Sequence, residues 1–235
     1  VERKITKKTK ALYPVHYGGH PVDMDPIMAL AKKHKLAVID DAAHSPGAEY
    51  KGKKIGVIGD ITCFSFHSLK NMSTLGEGGM MTTASDKWAS EIPLLRSMGL
   101  KNYKDQTDYW LPYHYDVFEV GSEMPNNYRM SEAEAAVGMV QLKKLDKFNA
   151  IRRHNVEYLN KGLAGVDFIT TPYESPDVKH AWHLYTLLFD GSAIGATKDD
   201  FLRVLYYEEG VQAIMHYKPN YLFDTIHDII NGSIG

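Results

Sequence analysis

Two short segments of this 235-residue chain carry reactive groups directly after apolar runs. The first is Asp40-Asp41-Ala42-Ala43-His44, which follows Leu36-Ala37-Val38-Ile39. The second is Ser65-Phe66-His67-Ser68-Leu69-Lys70, which follows Ile61 to Phe64 and precedes Leu75-Gly76-Glu77-Gly78-Gly79. If both runs are strands of an open parallel sheet, these residues stand at its carboxyl edge, where such sheets bind ligands. A carboxylate on one strand end and a lysine from another suit pyridoxal-phosphate (PLP) chemistry. There an aspartate keeps the pyridine nitrogen protonated so that the ring draws electrons, and the lysine forms an imine and later moves a proton. Burial or a neighbouring cation lowers a lysine's pKa and makes its amine nucleophilic near neutral pH. On spacing alone, an Asp41 that caps a helix and a Lys70 on the surface fit the sequence equally well.

Other chemistries find less support. No Gly-x-x-x-x-Gly-Lys-Ser/Thr is present, nor a His-Glu-x-x-His, and no Gly-x-Gly-x-x-Gly opens a helix. Cys63 is the sole cysteine, so neither an intramolecular disulfide nor a cysteine-rich zinc site can form. That fits a reducing, cytoplasmic setting. In an apolar strand the thiol reads as core. His180 and His183 lie three apart without a carboxylate at motif spacing, so no metal is expected. A formal net charge of −2 gives no general pull toward nucleic acid or anionic membranes. No run approaches the roughly 18 apolar residues of a membrane span.

The elements that must position these groups follow from hydrophobic patterning. With 44% hydrophobic and 24% charged residues, the chain can bury a substantial core. Residues 11–15 read as a short strand and 25–35 as a helix with Asp25 as its cap. The continuous run 36–39 suits a strand buried on both faces, which completes a βαβ unit. Further strands are expected at 61–66 and 80–83, and a helix at 86–98. The polar and aromatic stretch 101–121 reads as a long loop. A helix with a bend is expected over 131–163, capped by Ser131. A strand over 181–189, a helix over 198–208 and a strand over 211–215 complete the pattern. The change from sheet-rich to helical character places a domain boundary near residue 148. Residues 1–148 are then part of a large cofactor-binding domain and 149–235 part of a smaller α+β domain. The chain starts at Val1 and stops at Gly235 after an apolar-rich run, so both ends read as cut from a longer protein.

Four ordered motifs resemble the DegT/DnrJ/EryC1/StrS sugar aminotransferases. Val38 to Ala48 resembles their cofactor segment, and Phe64 to Asn71 with Gly76-Glu77-Gly78-Gly79 their lysine segment. Asn127-Tyr128-Arg129-Met130-Ser131, followed by Ala135-Ala136 and Gln141-Leu142, resembles a third signature. Pro14-Val15-His16-Tyr17-Gly18-Gly19 with Asp23-Met24 is the fourth.

The resemblance implies a PLP fold-type-I α/β architecture, with a mostly parallel sheet flanked by helices. It also implies roles. Lys70 would form the Schiff base with pyridoxal 5'-phosphate, and Asp41 would pair with the pyridine nitrogen. His44 would lie near the phenolic oxygen, and Ser65 would bind the phosphate. Asn127 would reach the phosphate of the neighbouring subunit's cofactor, in a homodimer with shared active sites. The substrates implied are an amino acid donor, glutamate or glutamine, and a nucleotide-linked keto sugar. The setting implied is amino-sugar synthesis for cell-envelope polysaccharide. Relatives that dehydrate the sugar carry histidine at the lysine position, so Lys70 favours transamination. A non-catalytic PLP-binding sensor or partner subunit is the remaining alternative.

Overall fold

The computed structural model describes residues 1–99, 125–217 and 222–223, so the expected loop at 101–121 lies outside the described residues. The chain folds as two compact units. One comprises Val1–Ala164 and Thr171–Thr186, the other Gly165–Thr170 and Leu187–Gly235.

The first unit is built on a four-stranded sheet in the order β1-β2-β5-β6, with β1 at Ala11–Leu12, β2 at Ala37–Asp41, β5 at Ile61–Ser65 and β6 at Gly79–Thr82. β1, β2 and β5 run parallel, and β6 returns antiparallel to β5. The sheet is therefore mixed and mostly parallel, as expected. The first strand is shorter than residues 11–15, although Val15 still bridges to Asp41. Helix α1, Met24–His34, makes the βα crossover. Asp25 is not its cap: Asp23 holds that position, and Asp25 binds the Lys51 ammonium at 2.7 Å. The core beneath α1 gathers Leu12, Met24, Ala31, Val38, Ala42, Ala48, Tyr50, Ile55 and Ala181. A small antiparallel sheet of β3 (Glu49–Tyr50), β4 (Lys53–Lys54) and β8 (Val178–Lys179) borders it.

Helix α2, Asp86–Arg96, follows β6, and α3 is an uninterrupted 32-residue helix from Glu132 to Leu163. Its start is fixed by a capping box. The Ser131 hydroxyl accepts from the Glu134 N–H at 3.3 Å, and the Glu134 carboxylate accepts from the Ser131 N–H at 2.7 Å. No break interrupts it, and residue 148, the expected domain boundary, falls within it. Leu145 of α3 packs on Phe66 and Met72, joining the helix to the loop that follows β5.

The second unit holds a two-stranded antiparallel pair, β7 (Ile169–Thr170) and β9 (Leu188–Phe189), and helix α4, Lys198–Tyr207. Phe189 stacks on Phe201 with centroids 4.5 Å apart. Two expected strands differ. Of residues 181–189 only Leu188–Phe189 pairs as a strand, and 211–215 forms none. Segment 181–184 instead bonds singly to a loop, with Ala181 N–H donating to Gly19 and Leu184 N–H to Gly18. Trp182 between them adopts φ +50°, which breaks any extended run.

Candidate active site

β2 and β5 are in register with Asp41 opposite Cys63, so Asp41 and Ser65 end neighbouring parallel strands. Strand alternation separates Asp41 from Asp40. Val38 and Asp40 are wholly buried on one face, while Ala37, Ile39 and Asp41 are half-buried on the other. The Asp41 backbone is held from both sides, its N–H donating to Pro14 O at 2.9 Å and its carbonyl accepting from His16 N–H at 3.0 Å. Its Oδ1 accepts from Ala43 N–H at 3.0 Å.

Asp40 is a buried polar residue, a role its place at a strand end did not signal. Its Oδ2 accepts from the Thr62 hydroxyl at 3.0 Å and lies 3.9 Å from Nε2 of His16, also fully buried.

Lys70 sits on the loop between β5 and β6. This loop is closed at its base by Phe66 N–H to Gly78 O and Ser68 N–H to Gly76 O, at 2.8 and 2.9 Å. Thr74 N–H turns back to Phe66 O at 3.1 Å. Ser65 Oγ accepts from His67 N–H at 3.3 Å, and the half-buried Lys70 donates its N–H to His67 O at 2.9 Å. Burial lowers the Lys70 pKa below the ordinary lysine value, with the Asp41 carboxylate pulling the other way. Asp41 also raises the pKa of Cys63 and of Tyr13, in each case after burial. The Asp41 charge thus acts on Tyr13, Cys63 and Lys70 together.

His44 joins the same region. Its Nδ1 accepts from Gly18 N–H at 3.2 Å, and its ring lies 4.4 Å from that of His183, tilted by 34°. His183 Nδ1 is 3.0 Å from Asn71 Oδ1. Burial, then the charges of His44, Lys70 and Arg152, drives the His183 pKa to about 3. Asn71 is buried beside Lys70 and donates to Asn149 Oδ1 at 3.0 Å and to Ala181 O at 2.8 Å. Asn149 of α3 donates to Pro46 O at 3.0 Å. His183, Asn71 and Asn149 were not anticipated as site residues. The available signals were the adjacency of Asn71 to Lys70 and a histidine pair that read only against metal binding. Among the described residues no group of three or more His, Cys, Asp or Glu could hold a metal ion. No described helix is long and apolar enough to cross a membrane.

Asn127 has a different setting. It bridges to Ser97, and its amide oxygen accepts from Arg129 Nε at 3.0 Å. A cleft of about 520 Å³ is lined by Arg96, Asn127, Arg129, Met130, Ser131, Glu132 and Glu134. Its two arginines suit an anion, and its lining does not include Asp41 or Lys70. The structure thus brings Asp41 and Lys70 into electrostatic reach and ends β5 on Ser65. It sets His44 beside His183, whose pKa Lys70 depresses, and leaves Asn127 at the start of α3.

Comparison with known proteins agrees with this architecture. The pattern described as the DegT/DnrJ/EryC1/StrS aminotransferase family matches residues 1–229. The spore coat polysaccharide biosynthesis protein SpsC of Bacillus subtilis is 36% identical over 223 residues, covering 93% of this chain and 55% of SpsC. The GDP-perosamine synthase of Caulobacter vibrioides is 38% identical over 206 residues, covering 87% of this chain and 52% of that protein. In structure, Helicobacter pylori PseC, an aminotransferase involved in the biosynthesis of pseudoaminic acid, superposes with a TM-score of 0.86. It is 28% identical, and the match covers 98% of this chain and 58% of PseC. The chain therefore spans just over half the length of these relatives.

Proposed function

Because the chain belongs to the DegT/DnrJ/EryC1/StrS aminotransferase family, we propose that it is the core of a PLP-dependent sugar aminotransferase. The reaction moves an amino group from an amino acid, glutamate or glutamine, to a keto sugar. Relatives named as a GDP-perosamine synthase and as an aminotransferase of pseudoaminic acid biosynthesis favour a nucleotide-linked sugar. The observation that carries the reading is the electrostatic coupling of Asp41, at the end of β2, with Lys70 on the loop that follows the neighbouring parallel strand β5, where burial lowers the Lys70 pKa.

The donor set fits the cofactor. A carboxylate, a half-buried amine, a strand-end hydroxyl and a proton-bearing imidazole are what a pyridinium ring with a phenolic oxygen and a phosphate requires. When bound, PLP supplies an electron sink for the substrate carbon. Lys70 would hold it through Nζ and, once released, Nζ would carry the proton between substrate and cofactor carbons. The Asp41 carboxylate would keep the pyridine nitrogen charged. His44, whose Nδ1 is occupied by Gly18 N–H, has its neutral-form proton on Nε2 and would donate to the phenolic oxygen. The Ser65 hydroxyl would donate to the phosphate. Asn127 would serve the cofactor of a second subunit, in a homodimer of the complete cytoplasmic protein.

Borohydride reduction of the full-length protein with PLP, followed by peptide mapping, tests the assignment. The label is expected on Lys70, and Lys70→Ala should abolish both labelling and transamination. A label on any other lysine overturns it.

A further inference from the structure

A buried amide beside Lys70 and the backbone N–H of Gly18 decide where two histidines carry their protons. Asn71 is 4% exposed, and its Nδ2 reaches both Asn149 Oδ1 and the Ala181 carbonyl. A carbonyl cannot donate, so the Asn71 amide cannot be turned round. Its Oδ1 must face His183 Nδ1, at 3.0 Å. An amide oxygen only accepts, so Nδ1 of His183 carries the proton and Nε2 keeps its lone pair. Asn149 is fixed in turn by its bond to Pro46 O. His44 has the reverse arrangement, because Gly18 N–H occupies its Nδ1. Two imidazoles of opposite tautomer thus lie 4.4 Å apart.

We propose that His183 is a positioning residue of the Lys70 site, locked by Asn71 as the Nδ1–H tautomer so that its neutral ring packs on His44 and holds that imidazole, itself Nε2–H through its bond from Gly18 N–H, in place. The network ties three separate parts of the fold to one another. Asn71 comes from the lysine loop, Asn149 from α3, and Pro46 from the turn that bears His44. The groups facing His183 are His44, Lys70 and Arg152, all of them basic. Protonation of His183 would set a third cation beside Lys70 and Arg152. The alignment of His44 toward a cofactor rests on the function proposed above, whereas the tautomers do not.

The test uses full-length protein with ¹⁵N-labelled histidine and long-range ¹H–¹⁵N spectra. His183 should appear as Nδ1–H and His44 as Nε2–H, with no titration of His183 between about pH 5 and 8. The opposite tautomer at either ring, or averaging between tautomers at His183, overturns the proposal. Asn71→Asp places a carboxylate against Nδ1 and should raise the His183 titration by at least about one unit; an unmoved titration also counts against it. If that variant does not fold, the wild-type spectrum decides. His183→Phe keeps a packed ring and removes the bond to Asn71. It should still bind PLP but shift the pH profile of the cofactor's absorbance by about half a unit or more. An unchanged profile overturns the positioning role. Absence of PLP absorbance in the wild type would instead overturn the proposed function and leave the tautomer result standing.

Discussion

Asp40 and Asp41 are neighbours in sequence and opposites in surroundings. One is wholly buried between Thr62 and His16, while the other is half-buried and electrostatically coupled to Lys70. Asp41→Asn removes a charge from the site with little change of shape. PLP should still bind, and the transamination rate should fall by a factor on the order of 100 or more, because a neutral amide cannot hold the ring nitrogen charged. Single-turnover kinetics would measure this, and a near-wild-type rate would reassign Asp41 to a structural role. Acid sensitivity is a second consequence at this scale. His180 and His183 are both held near pKa 3, His180 by burial and then by His20. A folded pKa below the unfolded value of 6.5 means that the unfolded chain binds more protons between about pH 3 and 6.5. This stability is complete above about pH 6.5 and is lost as the pH falls through that window. Melting temperature should therefore drop between pH 7 and 5, and His180→Phe should reduce that slope. The same variant should cost about 1–3 kcal/mol at pH 7, because Trp182 N–H loses its acceptor at His180 Nδ1. A slope unchanged in the variant would exclude His180 as a source. The proximity of Asp41 and Lys70 was legible because each lies in a short segment that directly follows an apolar run. His183 was not, since its partner Asn71 lies 112 positions away and only the folded chain closes that distance.

Among the elements, α3 announces its start and conceals its contacts. Ser131 was readable as a helix cap, and both halves of a capping box with Glu134 form. Ser131→Ala should cost about 1 kcal/mol in thermal or denaturant unfolding, and Ser131→Asp should recover most of it. Failure of aspartate to recover would show that the hydroxyl serves something other than the cap. The contacts of Leu145 and Asn149 with the lysine loop left no local trace, because an amphipathic helix pattern gives a face and not its partner. Segment 181–186 shows the converse failure. Its apolar and aromatic residues fit a strand, but its backbone bonds to Gly18 and Gly19 and turns at Trp182. Gly19 makes that approach possible. At φ +99°, a Cβ there would stand 2.9 Å from His44 O and 3.1 Å from the nitrogens of Trp182 and His183. Gly19→Ala should therefore destabilise by more than about 1 kcal/mol and separate His44 from His183. Calorimetry together with the histidine spectra would register both effects.

For the molecule as a whole, the parallel βαβ start was legible from continuous apolar runs, and the antiparallel return of β6 was not, because strand direction leaves no mark in composition. The surface carries large apolar side chains, among them Met80 and Met81 of β6 and Met139, Val140 and Leu142 of α3, each at least 49% exposed. A chain with such surface should associate when prepared alone. Light scattering of the 235-residue chain should give an average mass that rises with concentration, and its affinity for PLP should fall below that of the full-length protein. A strictly monomeric chain that binds PLP as tightly as the full-length protein would argue against a site shared between subunits.

The closed base of the lysine loop has a consequence for dynamics. The amides of Phe66, Ser68 and Thr74 are bonded across that base, next to β5 and β6. Their exchange with deuterium is expected to be slow while the strands stay paired. It should accompany opening of the β5–β6 ladder, so protection at Phe66 and Thr74 should approach that of Phe64 in the strand. A loop tied at its base in this way should move with the sheet and not gate access to Lys70. It would carry the rigidity of the sheet out to Lys70, so that any motion admitting a substrate is expected in another part of the protein.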